Sequence, residues 1–362
     1  MRPAAVTVLL GLALLVTAAI FDAEPLYVPG AALIVLATGA VAWVLAGSRG
    51  VRVARTIGAR RVVEEQAVAI EIVVAAGRLG LPSGWVEDAL LTAPAPLAAG
   101  RQVTRLTINA RFGRRGRRRL AAPRVVIRDP FGLATRVARG VQDAEVLVLP
   151  RIEPVVVEPG AGEAATLASR RGLRSIAAEV DLDGLRPYRP GTPASRIYWP
   201  ALARSGELVE RRLQADSDTR PLIVLDPRGA PASDDLDAAV RAATSLCVAL
   251  ARAGGCALLL PGDRRATAFD PGLVGWEHAH ARLAVVDGVR GPNLSGMATR
   301  LGPVFYVAAL APGTGVPRGL AHAPGGGRVL VVPGRLPGRR AAFTVAGCRG
   351  YELGVRRPAA VA

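Results

Sequence analysis

AALIVLATGAVAWVLAG, residues 31–47, contains no charged side chain and no proline. The uncharged stretch around it runs from Leu26 to Ser48. Another, Ala4–Phe21, precedes it, broken only by Thr7, Gly11 and Thr17. As helices rising about 1.5 Å per residue, both are long enough to cross about 30 Å of hydrocarbon. Only Asp22-Ala23-Glu24-Pro25 lies between them, which is room for a tight hairpin and nothing more. Read alone, the first stretch after Met1 and Arg2 could be a signal peptide. A poorly placed small-residue cleavage site, and a second apolar segment following at once, favour two spans. Arg2 precedes the hairpin, Arg49, Arg52, Arg55, Arg60 and Arg61 follow it, and its loop is acidic. Basic flanks mark the cytoplasmic side, so the bulk of the chain is expected in the cytoplasm, tethered to the inner or plasma membrane.

The 362 residues are 51 % hydrophobic, enough for two or three domains with real cores. The formal net charge is +17, and the sequence contains no lysine. That excludes a P-loop, a kinase-type ATP site and a pyridoxal Schiff base, each of which needs a lysine amine. Arginines beside Ser48 would lie near anionic headgroups, each contributing about 1 kcal/mol of attraction, so the charge does not by itself imply nucleic acid. Cys247, Cys256 and Cys348 sit in apolar surroundings without CxxC spacing, consistent with free thiols in a reducing compartment.

Beyond Arg61 the hydrophobic period becomes two. Val68, Ile70, Ile72 and Val74 alternate with Ala69, Glu71 and Val73, and Leu106, Ile108, Ala110 and Phe112 alternate with Arg105, Thr107, Asn109 and Arg111. Further strands are expected over 124–128, 132–136 and 145–149, giving a β-rich, sandwich-like domain over 50–155. Inside it, RFGRRGRRRLAAPR (111–124) has arginine at seven of fourteen positions. The run lacks interleaved aromatics and any helix-turn-helix or zinc-finger spacing, which argues against specific nucleic-acid binding. A solvated or headgroup-facing hairpin is the favoured reading, with a protein-binding surface as the alternative. Asp129-Pro130-Phe131-Gly132 reads as a turn whose Phe131 can fold back onto the sheet.

After Arg220 the pattern alternates strand and helix. PLIVLD ends a strand at Asp226. A helix capped by Ser233 or Asp234 runs to about Ala253, a strand covers 256–260, and a helix lies within 275–286. Strands follow at 304–308, 328–332 and 342–346. Such alternation predicts a mostly parallel sheet covered on both faces, with any ligand beyond the strand C-termini. Asp226 is therefore the position to test; its expected role is a strand-end turn with an internal arginine pair. His278, His280 and His322 complete no metal set, Ser295 lies in a loop rather than a nucleophile elbow, and Gly325–Gly327 precedes a strand where a dinucleotide loop would follow one. His278 and His280 read as residues of a surface helix. No metal and no cofactor are expected.

GLRPYRPGTPASRIYWPALAR, residues 184–204, sets arginines among aromatics and prolines. Pro187, Pro190, Pro193 and Pro200 discourage helix before residue 200, and Asp181, Asp183, Glu207 and Glu210 are within reach for bidentate pairing. Chemistry alone leaves two readings: a docking or anion-binding surface, or an ordered inter-domain connection. The segment resembles the signature of the DUF58 family of bacterial proteins of unknown function. Gly184, Leu185, Arg186, Tyr188, Arg189, Pro190, Gly191, Arg196, Ile197, Trp199, Ala203 and Arg204 stand at the positions that signature fixes. Thr192 departs from its usual aspartate, and Tyr198 from its usual histidine or aspartate. The resemblance extends to the paired spans and the turn Asp129–Leu133. It implies a von Willebrand factor A-like α/β part in which an aspartate–x–serine–x–serine metal motif would begin at Asp226. Here Arg228 and Ala230 replace both serines, so a metal site is not expected.

The implied organisation is a transmembrane hairpin (1–48), the β-rich domain (50–155), a linker carrying the signature (156–215) and the α/β domain (216–362). The resemblance also implies partners: a MoxR-type AAA+ ATPase or a transglutaminase-like membrane protein. A membrane-anchored scaffold is the leading functional reading. Two alternatives stand beside it, a hydrolase using Asp181, Asp183 or Asp226, and a module binding anions or lipid headgroups.

Overall fold

The computed structural model describes residues 2–78, 80, 83–141, 143–158, 185–187, 199–211, 220–294, 302–310 and 327–353. The chain divides into two units, Met1–Gly113 with Arg117–Val148, and Arg114–Gly116 with Leu149–Ala362.

The first unit begins with helices α1 (Arg2–Phe21) and α2 (Tyr27–Ser48), joined through one short turn of 3₁₀ helix at Glu24–Leu26. Both are long and apolar enough to cross a membrane. Their buried positions are mostly small: Ala4, Gly11 and Ala18 recur every seven residues on α1, and on α2 Gly30, Ala37 and Val44 keep that spacing with Ala40 and Gly47 buried beside them. The heptad puts one seam of each helix against the other. A Cβ at Gly11 would stand 2.8 Å from the Gly30 carbonyl oxygen, so the backbones approach as closely as small residues allow. Large side chains such as Leu9, Val28 and Val35 point outward and are exposed.

Three small sheets follow. Strands β1 (Arg52–Ile57), β3 (Val68–Ala75) and β6 (Val103–Ala110) pair antiparallel in the order β1-β3-β6. Strands β4 (Gly84–Glu87), β5 (Ala95–Leu97), β8 (Arg124–Arg128) and β9 (Thr135–Arg139) form an antiparallel sheet ordered β5-β4-β8-β9. The third sheet orders β2 (Arg61–Val63), β10 (Ala144–Leu149) and β7 (Gly116–Leu120) as β2-β10-β7. The alternation read at 68–74 is real, with Ile70 and Ile72 fully buried. Ala40 and Val44 near the end of α2 share a core with Val53, Ile72, Val86, Val125, Ile127 and Ala134, so the last turns of the apolar helix pack on the sheets.

Two expectations for this unit are corrected. The strand expected over 132–136 starts only at Thr135, because the Asp129 carboxylate accepts the backbone N–H of both Phe131 and Ala134 and holds 129–134 as a turn. Phe131 does not fold back: it is 67 % exposed.

In the second unit, β14 (Leu222–Asp226), β15 (Cys256–Leu259), β17 (Val304–Ala308) and β18 (Arg328–Pro333) lie parallel. Antiparallel strands flank them: β16 (Thr267–Phe269) on one side, β20 (Cys348–Leu353) and β19 (Phe343–Val345) on the other, with β11 (Val156–Val157) at that edge. Every residue of β14, β15 and β17 is buried, as expected of central strands covered on both sides. Among the described residues, however, helices cover one face only. The helix Ser233–Gly254 and the helix Trp276–Ala284 pack on Ile223, Leu225, Leu258, Phe305 and Val331. Leu222, Val224, Tyr306 and Leu330 on the opposite face meet loop residues such as Leu294, Leu310 and Leu336. The N-cap of the long helix is Ala232, not Ser233 or Asp234, and Asp235 accepts the Ala232 N–H at 3.2 Å.

Cys247, Cys256 and Cys348 are free and buried, with the first two sulfurs 3.6 Å apart. His280 is buried too, contrary to the surface-helix expectation. It stacks on Trp276 at 5.2 Å and its Nε2 lies 2.8 Å from the Pro150 carbonyl. Burial lowers its pKa, so the ring stays neutral and donates that hydrogen bond.

The arginine run is not a uniformly solvated hairpin. Arg115 is buried, with its side chain 4 % exposed, and its Nε lies 2.8 Å from Asp237 Oδ1. Its Nη1 donates to the carbonyls of Leu283, Ala284 and Val286 at 3.0–3.4 Å, satisfying the open C-terminus of the helix Trp276–Ala284. Arg114 adds a 3.1 Å contact to the same Asp237, whereas Arg117, Arg118 and Arg119 remain exposed. Removing Arg115 would leave Asp237 and three carbonyls short of donors. Arg115→Ala is therefore expected to cost about 3–5 kcal/mol in denaturant unfolding, and Arg118→Ala under about 0.5 kcal/mol. Equal effects from the two changes would show the run to be solvated throughout.

Candidate functional site

The parallel strands end together at the edge where ligands of open α/β sheets bind. Asp226 closes β14 there, its side chain 7 % exposed. The next residues, Pro227-Arg228-Gly229, turn the chain back, with Gly229 at a φ of +73° that a β-carbon would strain.

This turn brings Arg228 against Asp226 in a two-pronged pair. Nε donates to Oδ1 at 2.9 Å and Nη2 to Oδ2 at 2.9 Å, while the Arg228 backbone N–H reaches Oδ1 at 3.3 Å. Tyr306, on the adjacent β17, donates its hydroxyl to Oδ2 at 2.6 Å. Burial alone would push the Asp226 carboxyl pKa up. The hydrogen bonds from Arg228 and Tyr306 outweigh it and leave the acid below its ordinary value. The Arg228 guanidinium is held above its ordinary value by its hydrogen bond to Asp226. Burial, and then that carboxylate, raise the Tyr306 hydroxyl, so it remains a donor.

Four donors meet two carboxylate oxygens, which is the full lone-pair capacity of the group. A metal ion or a substrate proton would have to displace Arg228 to reach them. The guanidinium is 53 % exposed on its side chain and lies over Gly291, where it leaves no room for a β-carbon. One strand along, Asp263 pairs with Arg282 at 2.6 Å, so a second acid beyond a strand end is also matched to an arginine. Among the described residues no group of three histidines, cysteines or acids could hold a metal ion.

The internal arginine pair expected for Asp226 thus forms with Arg228, and Tyr306 is a partner that sequence reasoning missed. In Val304–Ala308 a tyrosine reads simply as a core strand residue, and nothing local signals that its hydroxyl faces Asp226 eighty residues away.

The arginine–aromatic signature is only partly described. Gly184, Tyr188, Arg189, Pro190, Gly191 and Arg196 lie outside the described residues, as do Asp181, Asp183 and Ser295. Arg186 belongs to a short ribbon in which β12 (Leu185–Pro187) pairs antiparallel with β13 (Val209–Arg211). The helix Trp199–Ser205 starts with Trp199, 56 % exposed, and places Pro200 in its first turn, where proline is tolerated. Arg204 is exposed in its last turn. Among the described residues the hydrogen bonds to Asp226 come from Arg228 and Tyr306, not from the signature. No family model matches the chain, and no match to it was found among the curated proteins.

Replacing Arg228 by alanine leaves a buried carboxylate with only Tyr306 and the long backbone N–H contact of residue 228. The expected loss at neutral pH is about 1–2 kcal/mol, low in the range for charged hydrogen bonds because the guanidinium is half exposed and screened. The pH dependence should invert. With its pKa depressed, Asp226 of the native chain contributes stability above the unfolded carboxylate pKa of about 3.9 and loses it as pH falls through the folded value. In Arg228→Ala burial dominates and raises that pKa, so the deficit should shrink on acidification. Thermal melts of both chains from pH 7 to 4 decide the matter; a constant deficit would show that the pair does not hold the charge of Asp226.

Proposed function

We propose that this chain is a membrane-anchored cytoplasmic scaffold of DUF58 type, working through protein contacts in an assembly with a MoxR-type AAA+ ATPase. The observation that carries this reading is the state of Asp226. The acid at the ligand edge of the sheet is occupied on every lone pair by Arg228 and Tyr306, which favours a structural turn over a reactive or metal-binding group. The helix pair, long and apolar enough to cross a membrane, supports the anchor. Arginines placed after Ser48 support a cytoplasmic bulk.

Within this reading the domains are those expected: a hairpin over 1–48, a sandwich-like β module over 50–155, a signature-bearing linker over 156–215 and a von Willebrand factor A-like part over 216–362. Four central parallel strands, with an aspartate ending the first of them, support the last assignment. Exposed Trp199 supports a docking role for the signature, because tryptophan and arginine are the usual energetic anchors of protein interfaces. The carboxylate-hydrolase alternative has less behind it, since Asp226 is already matched.

The test is recovery of the ATPase with the full-length chain from crosslinked native membranes. Arg189→Ala and Trp199→Ala are each expected to lower recovery about tenfold, the effect of losing roughly 1.4 kcal/mol at an interface anchor. If no ATPase is recovered with the native chain, or both variants recover it undiminished, the scaffold reading fails.

A further inference from the structure

The turn Asp129–Leu133 is the least expected feature of the first unit, because its apolar tip is displayed beside α2 rather than buried. Pro130 and Phe131 face Val35, Leu36, Gly39 and Trp43 across a groove of about 380 Å³. Val35, Trp43 and Phe131 are 69 %, 58 % and 67 % exposed. A β-carbon at Gly39 would meet nothing, so the groove is open at its centre.

We propose that this tip is inserted in the bilayer, and that the groove seats an acyl chain of a phospholipid in the leaflet nearest the β-sheets. The inference rests on the reading of α1 and α2 as membrane spans, and follows from length. Counted from Tyr27, at the Asp22–Glu24 end of the hairpin, Val35 and Trp43 stand about 12 and 24 Å along α2. Both heights fall short of the ~30 Å of hydrocarbon that the helix must cross, and tilting the helix only lowers them. If α2 spans the bilayer, the groove and Phe131 lie within it.

The chemistry of the turn meets much of what that location requires. Hydrocarbon supplies no hydrogen bonds, so an inserted turn must satisfy its own backbone. The Asp129 carboxylate accepts from Phe131 N–H, at 2.8 Å, and from Ala134 N–H. Gly132 N–H donates to the Asp129 carbonyl at 3.1 Å, and Asp129 N–H donates to the Ala134 carbonyl at 3.2 Å. The Leu133 carbonyl accepts from Ala4 N–H at 3.2 Å, at the open N-terminus of α1. Pro130 has no N–H to satisfy. Asp129 is 3 % exposed and turned inward, so the acid that organises the turn is not shown to lipid. Exposed Arg136 stands where β9 leaves the turn, with a side chain long enough to reach headgroup phosphates, while the Arg128 guanidinium lies over Gly132 of the turn.

The lipid occupant is favoured over a protein one by continuity. The groove opens onto the same apolar face of α2 that carries exposed Val28 and Val35, and its one charged lining residue is the inward-turned Asp129.

The experiment labels the full-length Phe131→Cys chain with an environment-sensitive fluorophore in vesicles of phosphatidylethanolamine and phosphatidylglycerol. The chain's own cysteines are buried, which directs the label to position 131. Leu12→Cys on α1 is the reference for the span, and exposed Arg105→Cys the reference for water. Nitroxide placed mid-chain on the phospholipid should quench the label at 131 several-fold, as at 12, while iodide quenches only the label at 105. Quenching at 12 but iodide access at 131 would overturn the insertion and leave the anchor standing. Iodide access at both would remove the anchor itself. Protection of 131 from both quenchers would mean that protein, a partner or a second copy, covers the groove, and would equally overturn the proposal. The unsubstituted chain gives an independent reading: phospholipid with a mid-chain diazirine should label the peptide containing Phe131, and labelling confined to α1 and α2 would count against it.

Discussion

Hydrocarbon cannot hydrogen-bond a peptide group, and a helix is the form in which a single segment meets that constraint alone. The helices Arg2–Phe21 and Tyr27–Ser48, long and apolar enough to cross a membrane, satisfy their backbones in that form, and they meet each other along a seam of mostly small residues of the kind that suits helix pairs in lipid. Gly11 against Gly30 fixes the closest approach. The rest of the first unit is arranged around that hairpin. Ala40 and Val44 extend the apolar face of α2 into the sheet core, and the Leu133 carbonyl takes up an N–H at the start of α1. The segment that would cross a membrane and the module that follows it are therefore packed as one body, not joined by a tether.

Arginine is the only strong base in the chain, and its side chains are used in quite different ways. Arg115 is buried and acts as a helix-terminal donor, its Nη1 reaching three carbonyls while its Nε faces Asp237, a division that the single nitrogen of a lysine cannot make. Arg228 neutralises an aspartate at a strand end and covers a glycine. Arg55 pairs with Asp88 at 2.8 Å while donating to the carbonyls of Leu120 and Ala121, again with almost no exposure. The count of 46 basic side chains thus overstates the cations the molecule presents to a partner, because several of them are matched internally. Paired arginines of this kind are organisers of loops and helix ends, and their count is weak evidence for an anionic ligand.

At the sheet edge, geometry and substitution tell one story. A strand-end aspartate surrounded by oxygen donors would invite a hard cation. Surrounded by a guanidinium and a phenol hydroxyl it is closed. The exposed chemistry of the described chain lies elsewhere, at Trp199 on its short helix and at the Pro130–Phe131 tip beside α2.

Much of the local structure was legible because its period is local. Eighteen or more uncharged residues fix a helix whatever surrounds them, strict alternation at 68–74 fixes a strand, and β-branched runs at 222–226 and 304–308 fix buried strands. Most of the order of strands and helices after Arg220 followed from the same signals, but the antiparallel strands Thr267–Phe269 and Cys348–Leu353 did not. Other features depended on contacts between residues far apart in sequence. Nothing near Arg115 distinguishes it from Arg118; burial was decided by Asp237 and by carbonyls about 170 positions away. Phe131 was read as folding back because a turn usually returns its aromatic to its own sheet, yet here that sheet face was already filled, in part by α2. His280 looked like a surface residue until Trp276 and the Pro150 carbonyl enclosed it. Period and composition settle which segments are apolar and in what form, since those are properties of neighbours along the chain. Which polar group is matched, and which apolar one is left facing out, only packing can decide, because each partner is brought in from elsewhere.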